Sequence, residues 1–168
     1  MAQLRRDSPP QLEEFLGSDV SFVPCPRSAP FPPGQSPALW VPRRICEELR
    51  TAGYGSSILP VLHRVTAVKK SAFAAPGERP TPQKHMETMH VTPPLSLPPK
   101  ITLVDDVVTK GATLLGGASL LASAFPGAEI RAFALVRTMG LVPDVDQIVD
   151  PVVGTISLDA WGEVERYP

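Results

Sequence analysis

The stretch that decides the fold is ITLVDDVVTKGATLLGG, from Ile101 to Gly117. A short, mainly apolar run ends in two adjacent acids, Asp105 and Asp106. A small, hydroxyl-rich turn with one lysine follows, and after Gly111 the apolar residues recur at helical spacing in ATLLGGASLLASAF. The pattern predicts a strand, a tight loop and a helix in immediate succession.

Length and charge set the outer bounds. The 168 residues predict a single domain over residues 1–168, large enough to bury a substantial core. The formal net charge of −1 argues against direct nucleic-acid binding, which usually brings a strongly basic surface. The 21 prolines follow no period, so they predict irregular or extended segments rather than a collagen-like repeat.

No segment of the sequence predicts a membrane span or a secretory signal. The first residues, MAQLRRDSPPQLEEFLG, carry acids and contain no apolar core of signal-peptide length. A run of roughly eighteen apolar residues, which a membrane helix needs, occurs nowhere. Cys25 and Cys46 cannot form a CxxC pair, and we expect both to be small core residues in a reducing cytoplasm.

Outside the opening stretch, strand and helix patterns alternate. Strands are predicted in SDVSFVPCP (18–26), SSILPVLHRV (56–65), EIRAFALVRT (129–138) and VVGTISL (152–158), and helices over 9–17 and before the glycines of RRICEELRTAGYG (43–55). The second helix is predicted to begin at Ser36 and Pro37, with Pro42 either kinking it or marking its true start. Such alternation predicts an α/β fold, with a Rossmann-like twisted parallel sheet of four or five strands and flanking helices.

Ligands of such sheets bind at the carboxyl ends of the strands. That rule places Asp105, Asp106 and the loop from Pro24 to Ser28 on one rim. Residues 65–99 show no clear period, and a stretch of that length without regular structure is usually functional or mobile. GLVPDVDQIVDP (140–151) is predicted to be a loop.

The turn VVTKGAT has the size and chemistry of a phosphate cradle. Gly111 permits a tight backbone turn, Thr109 and Thr113 offer hydroxyl donors, and the start of a helix presents unpaired N–H groups. The adjacent Asp105 and Asp106 can accept hydrogen bonds from vicinal hydroxyls and suit Mg²⁺. GxxxxGK[ST] and GxGxxG are both absent, so the pattern predicts a ribose-5-phosphate site rather than a P-loop or dinucleotide fold.

ITLVDDVVTKGATL closely resembles the phosphoribosyl-pyrophosphate signature of type I phosphoribosyltransferases: an apolar strand, two acids, two apolar residues and T-x-G-x-T. FVPCPRS occupies the place of that family's pyrophosphate loop, and the chain is most similar to the competence-protein-F-like or amidophosphoribosyltransferase-related branch. The resemblance implies a type I phosphoribosyltransferase fold with a minimal hood from residues 1–19 and 159–168. It also implies that residues 65–99 form a flexible catalytic flap.

The resemblance implies a role for each matching residue. Asp105 and Asp106 would bind the ribose hydroxyls, and Mg²⁺ through water or those hydroxyls. The 5-phosphate loop would comprise Val107, Val108, Thr109, Lys110, Gly111, Ala112 and Thr113, and the pyrophosphate loop Cys25, Pro26, Arg27 and Ser28. The flap cations that neutralise the departing pyrophosphate would be Lys69, Lys70, Arg79 and Lys84. Lys110 stands where a small or hydroxyl residue is common, so it either adds a phosphate contact or points to solvent.

The implied activity is transfer of ribose 5-phosphate from phosphoribosyl pyrophosphate to a nitrogen of a nucleobase or related amine. Thr109 stands where purine-salvage members carry a basic aspartate, so a mechanism using that acid is not expected. The alternative is a non-catalytic regulator or accessory protein that binds phosphoribosyl pyrophosphate or a nucleotide. Dimerisation, common in the family, is expected by resemblance only.

Several residues have simpler interpretations. His85 and His90 are predicted to be loop residues and His63 a strand-end residue. Trp40 and Trp161 are predicted to pack in the core or hood.

Overall fold

A computed structural model of the chain describes residues 9–32, 34, 40–69, 79–139 and 151–167. After a 3-10 turn at Pro10–Leu12, this part contains four α-helices and eight strands. In chain order they are α1 (Glu13–Leu16), β1 (Ser21–Pro24), α2 (Val41–Thr51), β2 (Ser57–Ile58), β3 (Leu62–Arg64), α3 (Pro82–Thr88), β4 (Met89–Val91), β5 (Lys100–Val108), α4 (Ala112–Ala124), β6 (Glu129–Arg137), β7 (Thr155–Leu158) and β8 (Val164–Tyr167).

Four of these strands form a parallel sheet in the order β2-β1-β5-β6. Phe22 of β1 lies opposite Ile58 on one side and Thr102 on the other, and Leu103 of β5 lies opposite Ala132 of β6. The predicted α/β fold with a parallel sheet is confirmed, and the architecture is consistent with a Rossmann-like fold.

The sheet is covered on both faces. Successive residues of its central strands point to opposite sides, and each side packs into its own core cluster. Val23 and Leu103 belong to a core cluster that includes Leu114 and Leu121 of α4. Their neighbours Phe22 and Val104 belong to a second cluster, which also contains Leu16 of α1, Cys46 of α2, and Val20, the residue before β1. Double coverage explains why these strands read as continuous apolar runs. Cys25 and Cys46 are both buried free thiols, as predicted.

The helix after β1 begins at Val41, with Pro42 in its first turn and Trp40 as its N-cap residue. The later of the two predicted starts is therefore confirmed, and the earlier one, at Ser36 and Pro37, lies outside the described residues. Gly53, at a φ of +91°, follows the last helical turn, as the glycine-rich end of the pattern predicted.

The prediction of one continuous strand over 56–65 is wrong. Pro60 divides the segment into β2, at the edge of the parallel sheet, and β3, which pairs antiparallel with β4 in a separate sheet. Proline has no N–H to donate to a strand ladder and its ring restricts the backbone, so pairing stops there.

The prediction that residues 65–99 lack regular structure is also wrong in part. They contain α3 and β4, although residues 70–78, with Lys70, lie outside the described residues. Thr81 caps α3, because its Oγ1 accepts a hydrogen bond from the N–H of Lys84 at 3.2 Å, and Pro82 follows in the first turn. The seven-residue helix is too short for apolar periodicity to reveal it.

The last strands form an antiparallel hairpin, β7–β8. β7 confirms the strand predicted in VVGTISL, whereas β8 lies in the tail that was predicted only as a hood segment. Arg166 joins the hairpin to the main sheet, donating to the carbonyls of Val108 (3.2 Å) and Thr138 (2.6 Å). The predicted loop over 140–151 lies almost wholly outside the described residues.

No helix within the described ranges combines the length and apolar character needed to cross a bilayer.

Candidate functional site

A cleft of about 820 Å³ lies at the carboxyl ends of β1 and β5, within the roughly 300–1,000 Å³ common for small-molecule sites. Its walls come from five parts of the chain. They are the loop after β1 (Pro26–Ser28), Val41 and Pro42 of α2, a wall from β3 to α3 (Arg64, Val68, Lys69 and Arg79–Pro82 with His85), the β5–α4 segment (Asp105–Leu114), and the hairpin tip with the start of β8 (Gly162–Val164). The sequence-predicted rim is therefore a real concavity.

The turn from β5 into α4 depends on Gly111. Its φ is +100°, in the left-handed region that residues with a Cβ rarely adopt, and it is the N-cap residue of α4. The first hydrogen bond of α4 runs from the N–H of Leu115 to the carbonyl of Gly111. The N–H groups of the first turn have no partner further back in the helix, so an anion at this end would meet free donors and the positive end of the helix dipole.

Asp105 and Asp106 line the cleft near the end of β5. Asp105 Oδ1 accepts a hydrogen bond from the N–H of Asp106, and Asp106 Oδ1 accepts one from the N–H of Val107, each at 2.9 Å. Burial, reinforced by the neighbouring Asp106, raises the pKa of the Asp105 carboxyl to about 7. Asp105 therefore keeps its proton to a higher pH than an exposed aspartate does.

The loop after β1 lines the same cleft as the β5–α4 turn. Pro26, Arg27 and Ser28 line the cleft, and Arg27 is exposed, with its guanidinium 5.3 Å from the ring centroid of Phe31. Cys25, which was predicted to belong to the same pyrophosphate loop, does not line the cleft, because its side chain is only 1% exposed. The N–H of Cys25 donates to Val104, and its carbonyl accepts from Trp40 Nε1 at 2.7 Å, so Cys25 anchors the loop from behind.

A buried polar network joins the two loops. Arg64 Nε donates to the carbonyl of Arg27 (3.0 Å), its Nη1 to Thr88 Oγ1 (2.7 Å), and its Nη2 lies 3.1 Å from His85 Nδ1. His85 Nε2 in turn lies 3.2 Å from Thr113 Oγ1, on the first turn of α4. Burial and the charge of Arg64 lower the pKa of His85 to about 4, so the imidazole is neutral at pH 7.

The predicted flap cations divide into three groups. Lys69 and Arg79 line the cleft. Lys84 does not: it lies on the exposed face of α3, where its Nζ is 3.4 Å from Glu87 Oε2. Lys70 is outside the described residues. The N–H of Val68 donates to the carbonyl of Ser28 at 2.7 Å, which ties the start of this segment to the loop after β1.

The β7–β8 hairpin borders the cleft beside the β5–α4 turn, and Gly162, Glu163 and Val164 contribute to the lining. Lys110 Nζ lies 3.9 Å from Glu163 Oε2, and both side chains are mostly exposed, so this ion pair contributes little stability. Trp40 is buried, as predicted, but Trp161 is 88% exposed and the prediction that it packs in the core or hood is wrong.

The acids have the donor chemistry for Mg²⁺ but not a complete cage. The described residues contain no group of three or more His, Cys, Asp or Glu side chains placed to hold a metal ion. Magnesium is often held by one or two carboxylates together with water and substrate phosphates. Asp105 and Asp106 fit that mode, in which a phosphorylated substrate supplies the remaining oxygens.

Sequence reasoning missed Arg64 and assigned His85 to a loop, which is wrong because His85 is a buried residue of α3. One signal was present for Arg64: it is a cation inside an otherwise apolar run, and such a residue is rarely buried without a polar partner. His85 gave no comparable signal, since its two ring partners are distant in sequence.

Comparison of the chain with family models, curated proteins and solved structures yields no match.

Proposed function

We propose that the protein is a type I phosphoribosyltransferase, which transfers ribose 5-phosphate from phosphoribosyl pyrophosphate to a nitrogen nucleophile and releases pyrophosphate. One observation carries the proposal. The glycine-dependent turn at the start of α4, the two acids at the end of β5 and the cationic loop after β1 line a single cleft of ligand size. A phosphate, a sugar and a diphosphate need these three kinds of surface.

The turn would bind the 5-phosphate. Free N–H groups of the first helical turn, with the hydroxyls of Thr109 and Thr113, offer charge-assisted hydrogen bonds of about 1.5–3 kcal/mol each. Asp105 and Asp106, only a few residues earlier, would accept hydrogen bonds from the ribose 2′- and 3′-hydroxyls. The spacing of acids and turn along β5 supports a sugar phosphate over an isolated phosphate.

Arg27, Lys69 and Arg79 would face the diphosphate. In the reaction a nitrogen lone pair attacks the anomeric carbon, the bond from that carbon to the diphosphate oxygen breaks, and the electron pair leaves with pyrophosphate. The nucleophile then loses its N–H proton to solvent. Cations preorganised in the cleft would stabilise the growing charge on the leaving group. Mg²⁺, held by the acids and diphosphate oxygens, would add Lewis-acid stabilisation.

The acceptor would be a nucleobase or related amine, and Thr109 supports a reaction without an aspartate base at that position. The alternative function, a non-catalytic binder of phosphoribosyl pyrophosphate or a nucleotide, is favoured by Lys84. Its pairing with Glu87 outside the cleft leaves fewer cations at the diphosphate than the sequence implied.

The test is calorimetric titration of phosphoribosyl pyrophosphate with Mg²⁺ into the wild type and an Asp105→Asn, Asp106→Asn variant. We expect binding by the wild type and at least a tenfold loss in the variant, since two acceptors for ribose hydroxyls become partial donors. A Glu47→Gln, Glu48→Gln variant, which neutralises another adjacent acid pair on the outer face of α2, should bind normally. Equal binding by all three proteins would contradict the assignment of Asp105 and Asp106 to a ribose-phosphate site.

Turnover separates the two functions. Pyrophosphate release in the presence of a panel of nucleobases identifies the enzyme and its acceptor class. Tight binding without release for any acceptor would favour the regulator.

A further inference from the structure

We propose that His85 is a positioning residue, which fixes the hydroxyl of Thr113 as a hydrogen-bond donor directed at an anion in the cleft. The inference deepens the proposed function, on which it rests for the identity of that anion as the sugar 5-phosphate. It assigns a purpose to a buried network that the catalytic scheme above does not use.

The first step is the direction of the bond between Arg64 and His85. A guanidinium has N–H donors and no acceptor, so Arg64 Nη2 can only donate across the 3.1 Å contact. His85 Nδ1 must therefore be the unprotonated, accepting nitrogen. The lowered pKa of His85 agrees, because burial disfavours a charged ring and a second ring proton would also place that charge beside Arg64.

The second step follows from the tautomer. In neutral imidazole the proton then resides on Nε2, which donates to Thr113 Oγ1 at 3.2 Å. The Thr113 oxygen is an acceptor in that bond, so its own O–H is available to donate. Within the described ranges that hydroxyl contacts no other hydrogen-bonding group, and Thr113 lines the cleft.

The network is fixed at its far end. Arg64 is 7% exposed and is held by the carbonyl of Arg27 and by Thr88 Oγ1, which itself donates to the carbonyl of Lys84 at 2.6 Å. His85 is 3% exposed, so water does not compete for its ring nitrogens. The direction of donation is thus Arg64 to His85 to Thr113 to the cleft.

A hydroxyl whose proton is free, and one of whose two lone pairs is already occupied by His85, favours ligands that accept hydrogen bonds. It suits an ionised phosphate oxygen, which accepts, better than a ligand that presents an N–H, an O–H or a cation at the same point, because only one lone pair of the Thr113 oxygen is left to accept. The geometry therefore tunes this corner of the cleft for an anion without adding charge there.

The test compares variants that keep different halves of the imidazole. His85→Asn retains an acceptor near Nδ1 but lacks a donor near Nε2, whereas His85→Gln retains the donor. Titration of ribose 5-phosphate and of inorganic phosphate into the full chain should show about tenfold weaker binding for His85→Asn. His85→Gln should stay within about threefold of the wild type. His63→Asn, at an exposed histidine of β3, is the matched control and should bind as the wild type.

A double variant tests whether His85 acts through Thr113. Thr113→Val should weaken binding as His85→Asn does, and the combined variant should be no weaker than Thr113→Val alone. Additive losses would overturn the proposal, as would equal weakening by His85→Asn and His85→Gln. Thermal unfolding establishes that each variant is folded.

If a variant fails to fold, the tautomer of His85 in the wild-type protein still tests the proposal. Two-bond proton–nitrogen NMR correlations of the His85 ring should report the Nε2–H tautomer at pH 7, and Nδ1–H or imidazolium would overturn the proposal. Phosphate binding that depends on His85, without binding of ribose 5-phosphate or phosphoribosyl pyrophosphate, would sink the proposed function alone. Binding of those ligands that is indifferent to His85 would sink only the positioning role, and no binding of any of them would sink both.

Discussion

Gly111 and Ile156 are packed so closely that a Cβ built on Gly111 would lie 2.6 Å from Cδ1 of Ile156. The turn that opens α4 and the hairpin β7–β8 are therefore fitted to each other. Gly111 meets two independent constraints, a φ of +100° and the side chain of Ile156.

Gly111→Ala should destabilise the protein by about 2 kcal/mol or more, because a positive φ alone costs an alanine about 1–2 kcal/mol. Urea unfolding measures the change. Gly127→Ala is the matched control, since Gly127 has a φ of +89° but no atom within 4 Å of an added Cβ. Gly111→Ala should lose more stability than Gly127→Ala, and adding Ile156→Ala should recover part of that extra loss. Equal losses in Gly111→Ala and Gly127→Ala would contradict the close packing of Gly111 against Ile156.

The free energy of unfolding of Asp105→Asn, relative to that of the wild type, should be higher at pH 8 than at pH 5. The folded pKa of Asp105 is raised from 3.8 to about 7, so between these values the folded state holds a proton that the unfolded state releases. The stability that this group contributes is therefore fully present below about pH 4, falls progressively as the pH rises, and is lost above about pH 7. The asparagine removes that loss, and the difference from the wild type should grow by roughly 2–3 kcal/mol between pH 5 and pH 8.

Chemical unfolding at several pH values checks this prediction. His85, whose lowered pKa gives stability the opposite slope between pH 4 and 6.5, is present in both proteins and cancels in the difference. Asp19→Asn is the control: pairing with Lys100 lowers the pKa of Asp19, so its effect should be flat from pH 5 to 8. A flat difference for Asp105→Asn as well would mean that Asp105 is ionised throughout.

Arg27→Met should weaken pyrophosphate binding by about tenfold, because a charge-assisted hydrogen bond is worth about 1.5–3 kcal/mol. Arg27 is the exposed cation of the loop after β1, and calorimetry with inorganic pyrophosphate measures the loss. Arg44→Met removes a cation from α2 that pairs with Glu47 outside the cleft lining, and it should leave affinity unchanged. Unchanged affinity in both variants would assign Arg27 to the surface.

The flap cations should differ from one another. Lys69→Met and Arg79→Met should each reduce pyrophosphate affinity, by about threefold or more, because both residues line the cleft. Lys84→Met should not, because Lys84 pairs with Glu87 on the outer face of α3. A loss in Lys84→Met equal to that in Arg79→Met would show that α3 turns toward the ligand when it binds.

The segment from Ile101 to Ala124 could be predicted because its signals are local. A short apolar run, two acids, a glycine and a helical period each act within a few residues, and the structure has β5, the turn and α4 in that order. The division at Pro60 could have been inferred from the proline itself. α3 could not be found by periodicity, because seven residues make too few turns, and only the Thr81–Pro82 cap pointed to it.

By itself the sequence determined the parallel sheet, the loop at Gly111 and the adjacent acids, since backbone preference and hydrophobic period are properties of neighbouring residues. Only the tertiary structure decided that Arg64 of β3, His85 of α3 and Thr113 of α4 meet in one network, and that Cys25 and Lys84 stay outside the cleft. The physical reason is that hydrogen bonds between residues far apart in sequence depend on how the elements pack. That packing sums many weak contacts, which no short stretch of sequence contains.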